Sequence, residues 1–568
     1  MSGRDRRPYL SATVLDQALL DYCADNFETK IEIVVEIETP GGGMIYASDR
    51  NKYVGPNFYE ALLTIPVISR TVGEWLSPTL QFSTVSLTLS NADGRFNQYL
   101  PGGVNYNSFI GNSIEVKIGL NEQAATYKTI FRGQVTEVGG FSRDIVAVSF
   151  IARDDYERLN QTFPKFALTR TSYPDLDDNT VGKILPVIYG DWTVSLDPDP
   201  AIVPTLVLNG ADANVIGGSR TNIQLRISDN DLTFFDTNNV YFFKSDVYTL
   251  VPSADIVSVG AGNKTFQIRQ NTSSWLDGAP YLYTAGDEFF VRVRGYDLSG
   301  FDNNPVEQAR HLLITQGGAV SGDFDASWNS YRSKVTPTQS AISLIKSRIW
   351  ENEPKPTMEY ALSLLEQVRL ESFINDELKL QINSLHFEDF NASPTFNARN
   401  YDIVASSLRP KIDDRNNFNR AQATFDYHPN RNEQAQTSPL LRNDAAVAQV
   451  GRQISKRVAF PNLYDPTQVK DQLREIVRMA SSLFEIIDCS LTWRALLLDI
   501  GDFLMLNIEI GSVIYENVPA MIRSKGHDPE GIKIPVTLWS MQLLPFPSYT
   551  PGYSGTVGGY SATITEES

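Results

Sequence analysis

The chain is poor in cysteine: two in 568 residues, Cys23 and Cys489. That excludes a disulfide framework and any cysteine-based zinc quartet within one chain. Its four histidines, His311, His386, His428 and His527, are scattered without HxxxH or HExxH spacing, so no metal site is expected. No apolar run approaches the roughly 18 residues of a membrane-spanning helix, and no stable membrane insertion is expected. Neither GxxxxGK[ST] nor GxGxxG occurs, and GxSxG is missing too. Phosphate-cradling loops and the strained serine elbow of hydrolases therefore have no candidate, and no cofactor is expected. Asp16 and Asp21 interrupt the only apolar part of "MSGRDRRPYLSATVLDQALLDYC", so it does not read as a secretory leader, and folding in the cytoplasm is expected. Positive charge is also short: 49 Lys and Arg against 67 Asp and Glu leave a net charge of −18. Such a surface does not grip nucleic acid, although it can repel it usefully.

What is present is strand. Ile31, Ile33, Val35 and Ile37 form one apolar period-two row, as do Val85, Leu87 and Leu89, then Ile114, Val116 and Ile118, then Val146, Val148 and Phe150. That pattern buries one face of a sheet and wets the other. The reading is mainly β with some α. An N-terminal helical arm (1–25) leads into a first barrel-like β-domain (26–160) and a linker (161–185). An accessory β-domain (186–300) and a mixed α/β region (301–395) follow, then a second barrel-like domain (396–546) and a flexible tail (547–568). Helix starts are marked by Asn304-Pro305 and by Asp465-Pro466 with Gln468 in a capping-box position. Ala361, Leu364, Leu365 and Val368 predict a further helix over about 357–370.

Each chemical motif has a plainer reading beside it. Asn91-Ala92-Asp93-Gly94 lacks the position-twelve Glu of a calcium loop, because Gly102 stands there. A β-turn explains it better. The Gly501-Asp502 pair reads as a turn between strands. Asp154 and Asp155 are adjacent, so on a strand they point to opposite faces, unlike a hydrolytic carboxylate pair; a strand end entering a cap is the simpler account. The loops "DLDDN", "DPDP" and "SDNDLTFFD" are read as solvated turns rather than calcium ligands. Tyr189 and Trp192, with Trp275 and nearby Asn/Asp loops, could offer a sugar-stacking platform, but a packing anchor beside a turn is the simpler account. No catalytic constellation emerges, and the chain is not expected to be an enzyme.

The order of segments "TLQFSTVSLTLSNADGRFNQYL", "GNSIEVKIGL", "YKTIFRGQVTEV" and "VAVSFIARDDYERLN" resembles the first tube-like domain of phage tail hub proteins. "NNFNRAQATFDY", "ISKRVAFPNLYDPTQVKDQLREIVRM", "LLLDIGDFLML" and "GIKIPVTLW" resemble the second. The resemblance implies two tube-like β-barrels per chain and a homotrimeric hub at the distal end of a tail. It implies a virion location after assembly in the host cytoplasm. Its partners would be the tail tube or distal tail ring protein, the tape-measure C-terminus and a central fibre or spike. Three chains would carry 3 × (−18) = −54 charges around a passage through which genomic DNA moves without specific binding. Glu32, Glu36 and Glu115, on polar strand faces, are the carboxylates proposed to face that passage. A receptor- or glycan-binding tail protein, with 186–300 as binding module, is the alternative.

Overall fold

The alternating rows build two large sheets. The computed structural model describes residues 31–66, 68–74, 77–80, 83–120, 127–139, 147–176, 178–194, 202–209, 222–245, 247–269, 287–300, 302–333, 345–375, 377–385, 396–413, 418–481, 484–492, 495, 498–511, 513–527, 533–540 and 564–567. The expected arm at 1–25, Trp275 and most of the expected tail lie outside them. Strands β1 (Ile31–Glu38), β2 (Met44–Ser48), β3 (Lys52–Val54), β4 (Asn57–Ala61), β7 (Thr84–Ser90), β8 (Ser113–Leu120), β9 (Lys128–Gly139) and β10 (Ala147–Asp154) form the first sheet. Its order is β3-β4-β2-β1-β8-β9-β10-β7. The hairpin β5 (Ile68–Glu74) and β6 (Ser77–Leu80) leaves it and joins the second sheet.

That second sheet contains β11 (Phe396–Arg399), β12 (Arg409–Asp413), β13 (Phe484–Thr492), β14 (Phe503–Ile510), β15 (Val513–His527) and β16 (Lys533–Ser540), in the order β11-β14-β15-β16-β13-β12. The end of β15 outruns β14, and β5 takes the vacated edge, pairing Thr71 with Ser524, Arg70 with Lys525, Ser69 with Gly526 and Ile68 with His527. Most buried apolar residues of both sheets belong to one hydrophobic cluster.

The two sheets repeat one design. In each, a strand is followed by a three-strand meander whose last strand pairs back onto it: β8-β9-β10-β7 and β14-β15-β16-β13. The registers correspond. Val85, Leu87 and Leu89 oppose Ala152, Phe150 and Val148, as Ile487, Cys489 and Leu491 oppose Leu538, Val536 and Ile534. All twelve are buried. One bulge recurs at the same place, leaving Thr136 unmatched in β9 and Arg523 unmatched in β15. The entry corners correspond too. Gly111 N donates to Val135 O and Val135 N to Asn112 O; Gly501 N donates to Ile522 O and Ile522 N to Asp502 O. Both glycines have positive φ, 89° and 82°, which L side chains adopt only under strain.

The sheets curl but stay open, where the sequence predicts barrels. Among the described residues no sheet closes. In the first, the segment after β4 meets β7 at the isolated bridge Thr64–Thr88, and in the second the segment after β11 meets β13 at Ile403–Leu491. The near-closures again correspond, since Leu63 N donates to Thr88 O and Val404 N to the equivalent Ser490 O.

Between them, residues 203–294 form two four-stranded sheets around a shared core that includes Trp192. Helices Pro305–Thr315 and Thr357–Gln367 share a different core with the hairpin Leu370–Ile374/Leu380–Ser384. The Asn304 side chain caps the first helix through Val306 N and Glu307 N. Residues 418–481, inside the expected second barrel-like span, instead supply most of a separate five-stranded sheet and helix Pro466–Ala480 to this same core. Asp465 caps that helix as expected, while Gln468 Oε1 accepts from Lys346 N.

Arg523, at the bulge, fastens this helical region to the second sheet. It pairs with Glu371, both side chains being at most 2% exposed, and lies 4.0 Å from the Trp539 ring centroid. Replacing Arg523 by Met strands a buried carboxylate and is expected to cost about 3–5 kcal/mol. The double variant Arg523→Met/Glu371→Leu should recover most of that in urea denaturation. Gly111→Ala and Gly501→Ala each incur roughly 1–2 kcal/mol of left-handed strain. At Gly501 a Cβ would also meet Asn383 Nδ2 at 2.8 Å and Phe373 at 3.0 Å, whereas at Gly111 it meets nothing. Gly501→Ala should therefore show the larger drop in urea midpoint.

Candidate functional site

The polar faces of the two repeated sheets are the surfaces on which the expected channel carboxylates would sit. Glu36 and Glu115 oppose each other directly across β1 and β8, an arrangement that repels. Lys117 relieves it, with Nζ 2.7 Å from Glu36 and 3.2 Å from Glu115, and Arg132 Nε lies 2.8 Å from Glu115. Tyr59 OH donates to Glu36. Burial pushes the Glu115 carboxyl up, but the hydrogen bonds and charges of Arg132 and Lys117 outweigh it and hold the pKa below the ordinary value. Burial likewise depresses Lys117, while Glu36 and Glu115 raise it overall. The Glu115 contribution is thus present above its unfolded pKa and lost as pH falls through the folded one. The Lys117 contribution is lost as pH rises through its raised value.

Glu32 departs further from the expectation. Its side chain is fully buried, paired with Lys52 Nζ at 3.1 Å and with Arg50, and it accepts from Tyr127 OH at 2.8 Å. A buried carboxylate held by two cations faces no open passage. None of the three expected carboxylates presents an unmatched negative charge. In the second sheet the positions of Glu115 and Arg132 are taken by Met505 and Pro519, an equivalent cross-strand pair.

At the first corner, Asn91 is 1% exposed. Its Oδ1 accepts from Phe96 N and its Nδ2 donates to Asn97 Oδ1. Gly94 N closes the turn on Asn91 O at φ 73°, and Asp93 accepts from Arg95 N. At the second, Asp502 Oδ2 accepts from Asp499 N at 2.7 Å. The polar groups of both corners are engaged with local backbone and side chains. Sequence reasoning missed Gly111-Asn112 as the counterpart of Gly501-Asp502; a glycine and a side-chain carbonyl before an alternating strand are the shared signal.

Tyr189 and Trp192 sit as packing anchors rather than as a sugar platform. Tyr189 and Trp192 are each 1% exposed, and a stacking platform needs an open ring face. Tyr189 OH bonds His311 Nδ1, and Trp192 Nε1 donates to Tyr189 O. Trp192 instead floors a cleft of about 640 Å³. The Arg348 guanidinium lies 4.3 Å from the Trp192 ring centroid and 4.9 Å from that of Tyr464, and pairs with buried Asp426. Above this floor, Trp350 and Tyr427 stack with centroids 6.5 Å apart, and Glu351, Glu353, Lys355 and Glu359 line the walls.

Asp154 caps the short turn Asp155–Leu159, its Oδ1 accepting from Tyr156 N. Among the described residues no cluster of His, Cys, Asp and Glu could hold a metal, and no helix is long and apolar enough to cross a membrane.

No protein-family model matches the chain, nor does any curated protein. Among solved structures it is similar to the tail protein from Neisseria meningitidis MC58, at 10% identity over 90% of this chain and 96% of that one, with a TM-score of 0.41. It is also similar to the 43 kDa tail protein of prophage MuSo2 from Shewanella oneidensis, at 11% identity over 91% and 99%, with a TM-score of 0.38. A third is the prophage tail protein gp18 from Listeria monocytogenes EGD-e, at 14% identity over 56% and 94%, with a TM-score of 0.26.

Burial raises the Asp154 pKa to about 6 against the opposing Tyr156 N–H and Arg70 charge. A raised carboxyl favours the folded state below its unfolded pKa, and that benefit fades as pH rises through about 6. Asp154→Asn keeps the capping oxygen and removes the charge. It is expected to be more stable than the parent by about 1–3 kcal/mol at neutral pH, with the gap closing below pH ~4. Urea midpoints across the pH range measure this.

Proposed function

We propose that the chain is a structural protein of a phage tail. Three copies would close a ring at the tail's distal end, joining the tube or distal tail ring, and the end of the tape-measure protein, to a central fibre or spike. The supporting observation is the duplication: two sheets in one polypeptide share strand order, register, bulge, entry corner and near-closure point. Two like modules per chain let three chains present six similar wall segments, so a three-fold object can continue a six-fold tube. The pairing of β5 with β15 supplies a side-by-side contact of the kind a ring wall repeats. The two curled sheets would act as tube-like units spanning 26–160 and 396–546, the latter interrupted by 418–481. Residues 186–300 would be an accessory unit and 547–568 a tail.

In this reading the wall is polar and internally charge-matched. Glu36 and Glu115 hold register through Lys117 and Arg132 rather than repelling DNA. Repulsion would come from the net excess of 18 negative charges per chain. A weakly adhesive passage serves a genome that must slide through it, and the reading needs no catalysis.

Native mass measurement and negative-stain imaging of the purified protein, alone and mixed with its tail tube protein, are the test. The expected result is three chains in a three-fold ring with a central opening. A particle with another copy number, or a closed centre, would refute the ring.

A further inference from the structure

The cleft beside Trp192 is lined by residues outside the two repeated sheets. It is assembled from four stretches of chain: Trp192, residues 348–363, and the segments at 427–432 and 461–462. Its composition is specific. Trp350 and Tyr427 give it aromatic walls. Glu351 is held by Lys355 at 2.6 Å, and Glu353 N donates to Glu351 Oε1. Glu353 and Glu359 are exposed, and neither carboxylate has an ion-pair or hydrogen-bond partner among the described residues. Trp350 Nε1 is shielded from solvent with no acceptor among the described residues.

We infer that this cleft binds a neutral or amino-bearing oligosaccharide. Flat rings stack on the C–H faces of sugars, and free carboxylates accept from vicinal hydroxyls or an ammonium group. The cleft volume of about 640 Å³ lies in the range of small-ligand sites and suits a short oligosaccharide. Acidic polymers are disfavoured by Glu353, Glu359 and the net charge of −18. The site lies mainly on the helical region and the 418–481 sheet, with Trp192 its one lining residue from the 186–300 span where a binding module was expected. It does not depend on the ring, since a monomer carries the complete cleft.

The test uses the full chain on an array of neutral, amino-bearing, sulfated and carboxylated oligosaccharides. Tryptophan fluorescence titration with the strongest binder follows. Binding restricted to neutral or amino-bearing sugars is expected. Trp350→Ala should weaken it at least tenfold, and Trp350→Phe, which keeps a ring and loses the N–H, by less. Glu353→Gln and Glu359→Gln are surface changes that leave folding intact and should each weaken binding several-fold, most for amino sugars. The inference fails if no array sugar binds at millimolar concentration, if binding is unchanged in Glu353→Gln/Glu359→Gln and Trp350→Ala, or if sulfated sugars bind best. It fails equally if the cleft takes proline-rich or basic peptides in preference to any sugar.

Discussion

A strand longer than its neighbour leaves backbone groups that something must pair. β15 runs from Val513 to His527 beside β14, which spans only Phe503 to Ile510. The last residues of β15 are completed by β5, a strand from the opposite end of the chain. Unpaired N–H and C=O groups at such an edge invite association with other chains. Here the same polypeptide supplies the cover. The pairing ties the second sheet to the chain segment between β4 and β7 of the first, and most buried apolar residues of both sheets share one cluster.

Within that frame the repeats have diverged at solvent-facing and bulged positions while keeping their cores. Cys489 stands where Leu87 stands in the first sheet and behaves as a small apolar residue. Burial, with Asp488 nearby, pushes its thiol up to about 12, far from reactive. The bulge residue differs most. Thr136 is exposed, its hydroxyl donating to Ile151 O, whereas Arg523 turns inward to Glu371 and Trp539. One repeat keeps a bare outer face, and the other carries the helical region on the same spot.

Much of the local structure was legible in the sequence. The period-two rows of β1, β7, β8 and β10 are strands, and Asn304 and Asp465, each marked by the proline that follows it, cap helices. What escaped was long-range. β5 is a polar stretch whose partner lies on the far side of the chain, so no local pattern announces it. Glu32 reads as a wetted residue in an alternating strand, yet Lys52 and Tyr127 bury it. Trp192 beside a turn reads as a packing anchor, but its partner Arg348, distant in sequence, has no local signal. The repeat was legible as two barrel-like spans but not residue by residue, because the connection from β7 to Gly111 is much longer than the one from β13 to Gly501. The matching corners therefore fall at different spacings from matching strands.

The inward arginine at the second bulge has a geometric consequence for the proposed ring. Walking around its rim, one would pass a bare panel, then one bearing an appended body, then bare again. The inside wall can approximate six equal steps while the outside offers only three places of attachment. Such a piece converts one rotational count into half of it, with the conversion written into a single side chain's choice of direction.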